Sequence, residues 1–202
     1  MRTIRWYLPF IILLFSPSLA KADSITFEGL GDGLTLSNQF SNLLFLNATV
    51  ATAGVSLNEF EFPPLSGSNV VFDSGGPMTI SFLVPVSGVG GYFTYTTQLT
   101  ITAFDSSNNV IGNLTSAFNN NLALSGDSGS HPNEFVSFGV LSGIGRITIS
   151  GAPGGGSFTL DDLTFNSQTT AVPEPSAILT LLTGGGLLLR VANRVRRRRG
   201  PL

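Results

Sequence analysis

Three stretches in the middle of the chain alternate apolar and polar residues with a period of two. They are residues 78–84, 98–104 and 146–150. Successive side chains of a strand point to opposite faces, so each stretch predicts a strand with one buried face. No window of this region has apolar residues at helical spacing. Short strands separated by turn signals are typical of sandwiches, so the sequence predicts an all-β fold, a single jelly-roll or β-sandwich domain.

Polar and glycine-rich segments mark the breaks between these predicted strands. Residues 105–109, Asp-Ser-Ser-Asn-Asn, predict a turn, and Val110 begins the returning strand. Glycine packs no side chain in a sheet, so the glycine-rich segments 88–91 and 151–156 predict two further breaks. Together these signals predict short strands joined by tight connections.

The last predicted strand changes phase part-way along its length. Phe158 and Leu160 share one parity, whereas Leu163 and Phe165 share the other. The facing pattern therefore slips by one residue at 161–162, which predicts a β-bulge. A bulge at this point would aim two neighbouring carboxylates at one spot.

The first 22 residues have the three parts of a secretory signal peptide. Arg2 and Arg5 give a positive start, residues 8–15 form an apolar run, and residues 20–22 form an Ala-x-Ala site. Cleavage is predicted before Asp23. The alternative is an uncut anchor, but the apolar run is shorter than the roughly 20 residues that a membrane span needs.

Acidic residues dominate the region between the two ends. Residues 23–172 hold eleven acidic residues and one basic residue, Arg146, a net charge of −10. Such a surface repels phosphates and attracts divalent cations, so no nucleic-acid partner is predicted. The chain has no cysteine and one histidine, His131, which excludes disulfides, thiolate metal sites and multi-histidine metal sites.

The C-terminal end combines a proline-rich linker, an apolar segment and a cluster of arginines. Proline fixes φ and removes a backbone donor, so Pro173, Glu174 and Pro175 predict an exposed, extended segment. The apolar residues that follow predict a short transmembrane helix. By the positive-inside rule the basic tail stays in the cytoplasm. Its arginines are Arg194, Arg196, Arg197, Arg198 and Arg199.

This tail resembles the PEP-CTERM sorting domain, which has a near-terminal Pro-Glu-Pro, a transmembrane stretch and an arginine-rich end. The resemblance implies a Gram-negative bacterium and an exosortase that cuts near residues 173–175. It also implies export through the inner membrane, a transient membrane anchor, and a final place at the cell surface or in an exopolysaccharide matrix. The alternative is a simple tail anchor.

The middle region resembles the galactose-binding-domain-like jelly rolls of extracellular bacterial proteins. The stretches that carry the resemblance are SITFEGLGDG at residues 24–33, GGSFTLDDLTF at 155–165, and segments 87–112 and 133–151. The resemblance implies that the first and last strands pair and hold a structural Ca²⁺ where they meet.

Three acidic residues match the positions of that implied calcium site. Glu28 is expected on the first strand, and Asp161 and Asp162 on the last. Adjacent carboxylates repel each other, and a hard cation with oxygen ligands relieves this repulsion. The alternative is that they are ordinary exposed acids at a strand end.

Catalytic residues are not predicted. Glu59 and Glu61 share one face of an expected strand, so paired-carboxylate glycoside chemistry is conceivable, but a solvent-facing strand edge explains them better. His131 is expected in a loop, and no second motif supports a catalytic triad there.

Sugar binding needs an outward aromatic residue, and few are available. The only tryptophan, Trp6, lies in the signal peptide. Tyr92 is the outward candidate for a stacking platform, and the phenylalanines at alternating positions are expected in the core.

The sequence therefore predicts an exported, non-catalytic protein with a structural or adhesive role at the cell surface. Its predicted partners are an exosortase, the membrane and an extracellular polysaccharide. A carbohydrate-binding module, with or without calcium, is the alternative, and an unrecognised extracellular glycoside hydrolase is the third hypothesis. The predicted organisation is a signal peptide at 1–22, an ectodomain at 23–168, the linker at 169–176, a transmembrane segment at 177–193 and the basic tail at 194–202.

Overall fold

The computed structural model describes residues 22–167, which lie within one compact unit, Leu19–Gln168. These residues form an all-β domain with no helix in the described range. None of them therefore belongs to a helix that could cross a membrane. The predicted signal-peptide core, sorting motif, transmembrane segment and basic tail lie outside the described residues.

Nine strands form one antiparallel sheet across residues 22–167. They are β1 (Ala22–Ile25), β2 (Leu43–Leu46), β3 (Ala48–Thr52), β4 (Asn69–Ser74), β5 (Met78–Tyr95), β6 (Thr100–Phe104), β7 (Val110–Thr115), β8 (Glu134–Ser150) and β9 (Gly155–Ser167). The order in the sheet is β3-β4-β9-β5-β8-β6-β7, with β1 paired to β9 and β2 paired to β5. The first and last strands therefore pair, as the second resemblance implied.

The long strands β5 and β8 change partners part-way along their length. The register between them shifts between Ser81 and Val86. Before this shift β5 pairs with β2 and the end of β8; beyond it β5 pairs with β9 and the start of β8. The predicted break at 88–91 is wrong, because these residues lie inside β5, and Gly88 and Gly90 pair with strands on both sides.

The alternating stretches bury one face, as predicted. In β6, Ile101 and Ala103 are buried while Thr100 is exposed. In β8, Ile147 and Ile149 are buried in the same way. One continuous core joins these side chains with others from β2, β3, β4, β5 and β9. Each large side chain buried in it stabilises the fold by about 1.5–3 kcal/mol.

The predicted turn at 105–109 is present and is held by its first residue. The Asp105 carboxylate accepts hydrogen bonds from the backbone N–H of Ser107 (2.8 Å) and Asn109 (2.9 Å). The side chain and backbone of Asn109 lower the pKa of Asp105 below its usual value. Asn108 takes a left-handed conformation, with φ 64°, which asparagine tolerates well.

The predicted bulge in β9 is also confirmed. Gly90 and Tyr92 of β5 lie two residues apart, but their partners in β9, Thr164 and Asp161, lie three apart. Asp162 is the point of strain, with a left-handed φ of 46°. The extra residue restores the facing pattern, so that Leu160 and Leu163 are both buried.

Candidate functional site

Tyr92 occupies the centre of a row that crosses three strands. It pairs directly with Phe135 of β8 on one side and with Asp161 of β9 on the other. Directly paired residues of a sheet project to the same face, so these three side chains share one face. Val136, the next residue along β8, is buried on the opposite face.

Tyr92 and Phe135 form an aromatic pair on this outer face. Their ring centroids are 4.9 Å apart and the ring planes meet at 48°. Phe135 is 50% exposed and Tyr92 is half-buried. The expectation that the phenylalanines lie in the core is wrong for Phe135, because Val136 takes the inward position of the alternation. We call these two residues the aromatic pair.

Next to the aromatic pair, three glycines leave the outer face without side chains. Gly88 and Gly90 precede Tyr92 at two-residue intervals along β5, and Gly139 pairs with Gly88 across the sheet. The result is an open groove of about 300 Å³ that begins at Phe135. We call it the glycine trough. It is close to the lower limit for small-molecule sites, about 300–1,000 Å³.

The walls of the glycine trough carry neutral polar groups. Thr164 and Asn166 of β9 line one wall, and Ser137 of β8 lines the other. The Thr164 hydroxyl donates to the carbonyl of Gly90 at 3.2 Å. Within residues 22–167, the Ser137 hydroxyl and the Asn166 side-chain amide make no hydrogen bond, so both remain able to bind a ligand.

At the other end of the row, Asp161 is almost completely buried, with 1% of its surface exposed. Its Oδ2 accepts hydrogen bonds from the backbone N–H of Leu65 (2.8 Å) and Ser66 (3.1 Å). Its Oδ1 accepts from the N–H of Asp162 at 2.8 Å. The Asp162 carboxylate in turn accepts from the Ser66 hydroxyl at 2.8 Å.

Glu28 holds the same loop from another side. It lies in a turn after β1, so its predicted place on the first strand is wrong. One oxygen, Oε1, accepts from the N–H of Ser68 (3.0 Å) and Asn69 (2.8 Å). Gly67 lies directly against this carboxyl: a Cβ at Gly67 would stand 2.3 Å from Glu28 Cδ. We call the three carboxylates of Glu28, Asp161 and Asp162 the acid clamp.

Burial changes the acidity of the acid clamp. Desolvation raises the pKa of Asp161 to about 6, and the nearby charge of Asp162 also raises it. The hydrogen bonds from Ser66 and Leu65 lower it, but by less than desolvation raises it. Asp161 is therefore mostly ionised at pH 7 and titrates just below neutrality.

The acid clamp does not fit a calcium site as it stands. Ca²⁺ takes six to eight oxygen ligands, whereas both Asp161 oxygens and Glu28 Oε1 already accept backbone N–H groups. No group of three or more acidic or histidine side chains able to hold a metal ion lies within residues 22–167. The calcium site that the jelly-roll resemblance implies is untested, and melting with and without calcium tests it.

Glu59 and Glu61 lie in a turn rather than on the expected strand. Glu61 Oε2 accepts hydrogen bonds from the N–H of Leu124 (3.1 Å) and Ser125 (3.3 Å). Glu59 Oε2 accepts from Gly54 at 3.2 Å. Both carboxylates therefore hold loop backbone. The only histidine of the chain, His131, lies in an exposed loop, as predicted.

Of the residues predicted for function, Tyr92, Asp161 and Asp162 lie close together on β5 and β9, and Glu28 joins them through the loop at 65–69. Phe135 and the trough residues escaped sequence reasoning. The alternation around Val136 is the signal that could have placed Phe135 outside. The sorting motif and the arginines lie outside the described residues.

No family model matches the chain, and no curated protein matches it. Among solved structures, it is similar to a DUF4465 family protein from Bacteroides caccae (12% identity, TM-score 0.46, 73% of this chain and 100% of that one). It is also similar to the K1 cleaved adhesin domain of Lys-gingipain from Porphyromonas gingivalis (9% identity, TM-score 0.42, 74% of this chain and 99% of that one). A third similar structure is a family 29 carbohydrate-binding module mutant complexed with mannohexaose (12% identity, TM-score 0.39, 73% of this chain and 92% of that one). At these scores, function must be inferred from the chain's own residues.

Proposed function

We propose that residues 22–167 form a non-catalytic module that binds an extracellular polysaccharide. The aromatic pair of Tyr92 and Phe135 is the stacking platform, and the glycine trough receives the chain beyond it. The observation that carries the proposal is the aromatic pair, whose exposed Phe135 ring lies at the mouth of a groove with neutral polar walls. This choice favours the second of the sequence-based hypotheses over a purely structural or adhesive role.

The physical basis is the two-sided chemistry of a sugar. A sugar ring has apolar C–H faces and a polar rim of hydroxyl groups. Aromatic rings provide flat apolar contact for such faces, and a few placed polar groups fix orientation. The aromatic pair supplies the apolar contact, and the free side-chain groups of Ser137 and Asn166 supply the polar groups that fix orientation. The absence of side chains at Gly88 and Gly139 leaves the room.

We also propose that the sheet closes into a β-sandwich of the jelly-roll kind. A small void of about 10 Å³ supports this arrangement. It is lined by Ile101 and Ile147 from one part of the sheet and by Phe93, Val136 and Leu163 from the other. Side chains from the two parts therefore face each other, as in two packed layers.

The sorting proposal rests on the sequence of the two ends. We propose that the protein is exported, held transiently by residues 177–193, and cut by an exosortase near Pro173, Glu174 and Pro175. Release would place the acidic module at the cell surface or in the exopolysaccharide matrix. A polysaccharide-binding module would be useful in that location, since binding would retain it after release.

Affinity electrophoresis tests the proposed function. The purified full-length chain is run through native gels with and without the producing organism's own exopolysaccharide. We expect retarded migration when the polysaccharide is present. Migration that is the same in both gels would overturn the binding role and return the structural or adhesive role to first place.

A further inference from the structure

The lining of the glycine trough carries no charged side chain. We propose that the site accepts uncharged polysaccharides and discriminates against polymers that bear carboxylate or sulfate groups. This inference rests on the proposed function and names the class of ligand. It follows from three observations: the neutral lining of the trough, the sign of the nearest charges, and the position of the domain's only basic residue.

The trough is lined by uncharged residues only. The residues that line the trough are glycines, aromatic and aliphatic residues, serines, Thr164 and Asn166. Its free hydroxyl and amide groups can both donate and accept hydrogen bonds, as sugar hydroxyls do. An anionic group entering the trough would lose water and gain no cation in exchange, and desolvation of an unpaired charge is costly.

Among residues 22–167, the charges beside the aromatic pair on its own face of the sheet are negative. Asp161 stands in the same row as Tyr92, and Asp162 follows it on the bulge. Like charges repel, so negative charges beside a binding site weaken the binding of an anionic ligand and give specificity for a neutral one. An anionic polymer on the aromatic pair would therefore meet two carboxylates at one end of the row.

The single basic residue among residues 22–167, Arg146, is used elsewhere. Its guanidinium carbon lies 3.7 Å from the centroid of the Phe104 ring. It donates to the Thr148 hydroxyl (3.2 Å) and to the Asn108 side chain (3.4 Å). It lies where β8 pairs with Ser81 and β6, and it does not line the trough. No described side chain can therefore offer an anion a cation at the trough.

Matched pairs of neutral and anionic polymers test the inference. Affinity gels contain hydroxyethyl cellulose or carboxymethyl cellulose, methyl-esterified or de-esterified polygalacturonate, and dextran or dextran sulfate. The full-length chain is run at low and at high salt. We expect the neutral member of at least one pair to retard it, with an apparent Kd at least about tenfold lower than that of the anionic member at low salt.

The outcomes separate the two proposals. Equal or stronger retardation by the anionic members would overturn the neutral-ligand inference and leave the binding function standing. Failure of every polymer, with the native exopolysaccharide also inactive, would overturn the binding function itself and the inference with it.

A charge-introducing variant places the effect at the trough. Ser137→Lys puts a cation in the wall, and we expect it to strengthen retention by the anionic member of the pair at least about fivefold. The matched control is Ser106→Lys, which adds the same charge in the exposed turn at 105–109. Equal gains in both variants would assign the effect to net charge and overturn the role of the trough.

Discussion

The ring of Phe135 lies over Gly90 of the neighbouring strand. A Cβ at Gly90 would come within 2.8 Å of Phe135 Cζ and 3.0 Å of Ser137 Cβ. Gly90 does not have a positive φ, so space rather than backbone conformation requires glycine at this position. The aromatic pair and the glycine trough therefore depend on each other, because the missing side chain at Gly90 makes room for the exposed ring of Phe135.

Filling the glycine trough should strongly weaken polysaccharide retention without unfolding the domain. A Cβ at Gly88 would point toward the trough, and its nearest neighbour, Asn166 Nδ2, is 3.4 Å away. We expect Gly88→Leu to weaken retention in affinity gels about tenfold or more, because its side chain occupies the groove. Its melting temperature should stay near that of the wild type, since leucine suits a strand better than glycine.

The control for this change is Gly154→Leu. Gly154 lies in the turn before β9, and a Cβ there would meet nothing within 4 Å. This variant should be retained like the wild type. Retention of Gly88→Leu at the wild-type level would show that the trough is not the binding surface.

Removal of the buried carboxylate at Asp161 should destabilise the domain. Asp161→Ala leaves the N–H groups of Leu65 and Ser66 without their acceptor in a part-buried place, beside a carboxylate that is itself almost completely buried. We expect a loss of about 1–3 kcal/mol in the free energy of unfolding, measured by urea denaturation. Asp105→Ala removes a carboxylate that also accepts two backbone amides, but in an exposed turn where water can replace it. A loss for Asp161→Ala no larger than that for Asp105→Ala would contradict the importance of the acid clamp.

The pH dependence of stability should show the titration of Asp161. Burial raises the pKa of Asp161 to about 6, above its ordinary value of 3.8. The folded state therefore binds this proton more tightly than the unfolded state, so this group favours folding most below about pH 4. Its contribution is lost as the pH rises through about 6.

Asp161→Asn isolates this contribution, because asparagine does not titrate. The free energy of unfolding of the wild type, minus that of Asp161→Asn, should decrease as the pH rises from 4 to 7. Urea denaturation at several pH values measures the difference. A difference that stays constant across this range, or increases with pH, would contradict the raised pKa.

Calcium is tested by melting the protein with CaCl₂ and again with EDTA. Both Asp161 oxygens, Glu28 Oε1 and Asp162 Oδ1 already accept hydrogen bonds within the domain, so we expect equal melting temperatures. A higher melting temperature in calcium, lost in Asp162→Asn, would instead establish the cation site that the jelly-roll resemblance implies. Glu61→Gln is the matched control, because Glu61 holds a different loop.

Local patterns in the sequence predicted much of the fold. The alternation at 98–104 placed β6 within two residues, since half-buried strands repeat with a period of two. The phase slip between Leu160 and Leu163 located the bulge, because both side chains must reach the same core. The turn at 105–109 depends on contacts within five residues, which the sequence displays directly.

The functional face was harder to predict because it depends on residues that are distant in the chain. A glycine run reads as a break when viewed alone, and only the pairing of Gly88 with Gly139 shows that it forms a groove. Phe135 is expected in the core from its hydrophobicity alone, and it is assigned to the outer face only once Val136 is known to be buried. The role of Glu28 depends on the amides of Ser68 and Asn69, forty residues away, which no local pattern reveals.

The most direct measurement compares two aromatic variants in gels that contain the native exopolysaccharide. Phe135→Ala removes the exposed ring of the aromatic pair, whereas Phe60→Ala removes a ring that is 73% exposed in a loop. Both changes remove the same side chain from an exposed place. We predict that Phe135→Ala weakens retention about tenfold or more and that Phe60→Ala leaves it unchanged. Undiminished retention of a folded Phe135→Ala protein would contradict the assignment of polysaccharide binding to this face.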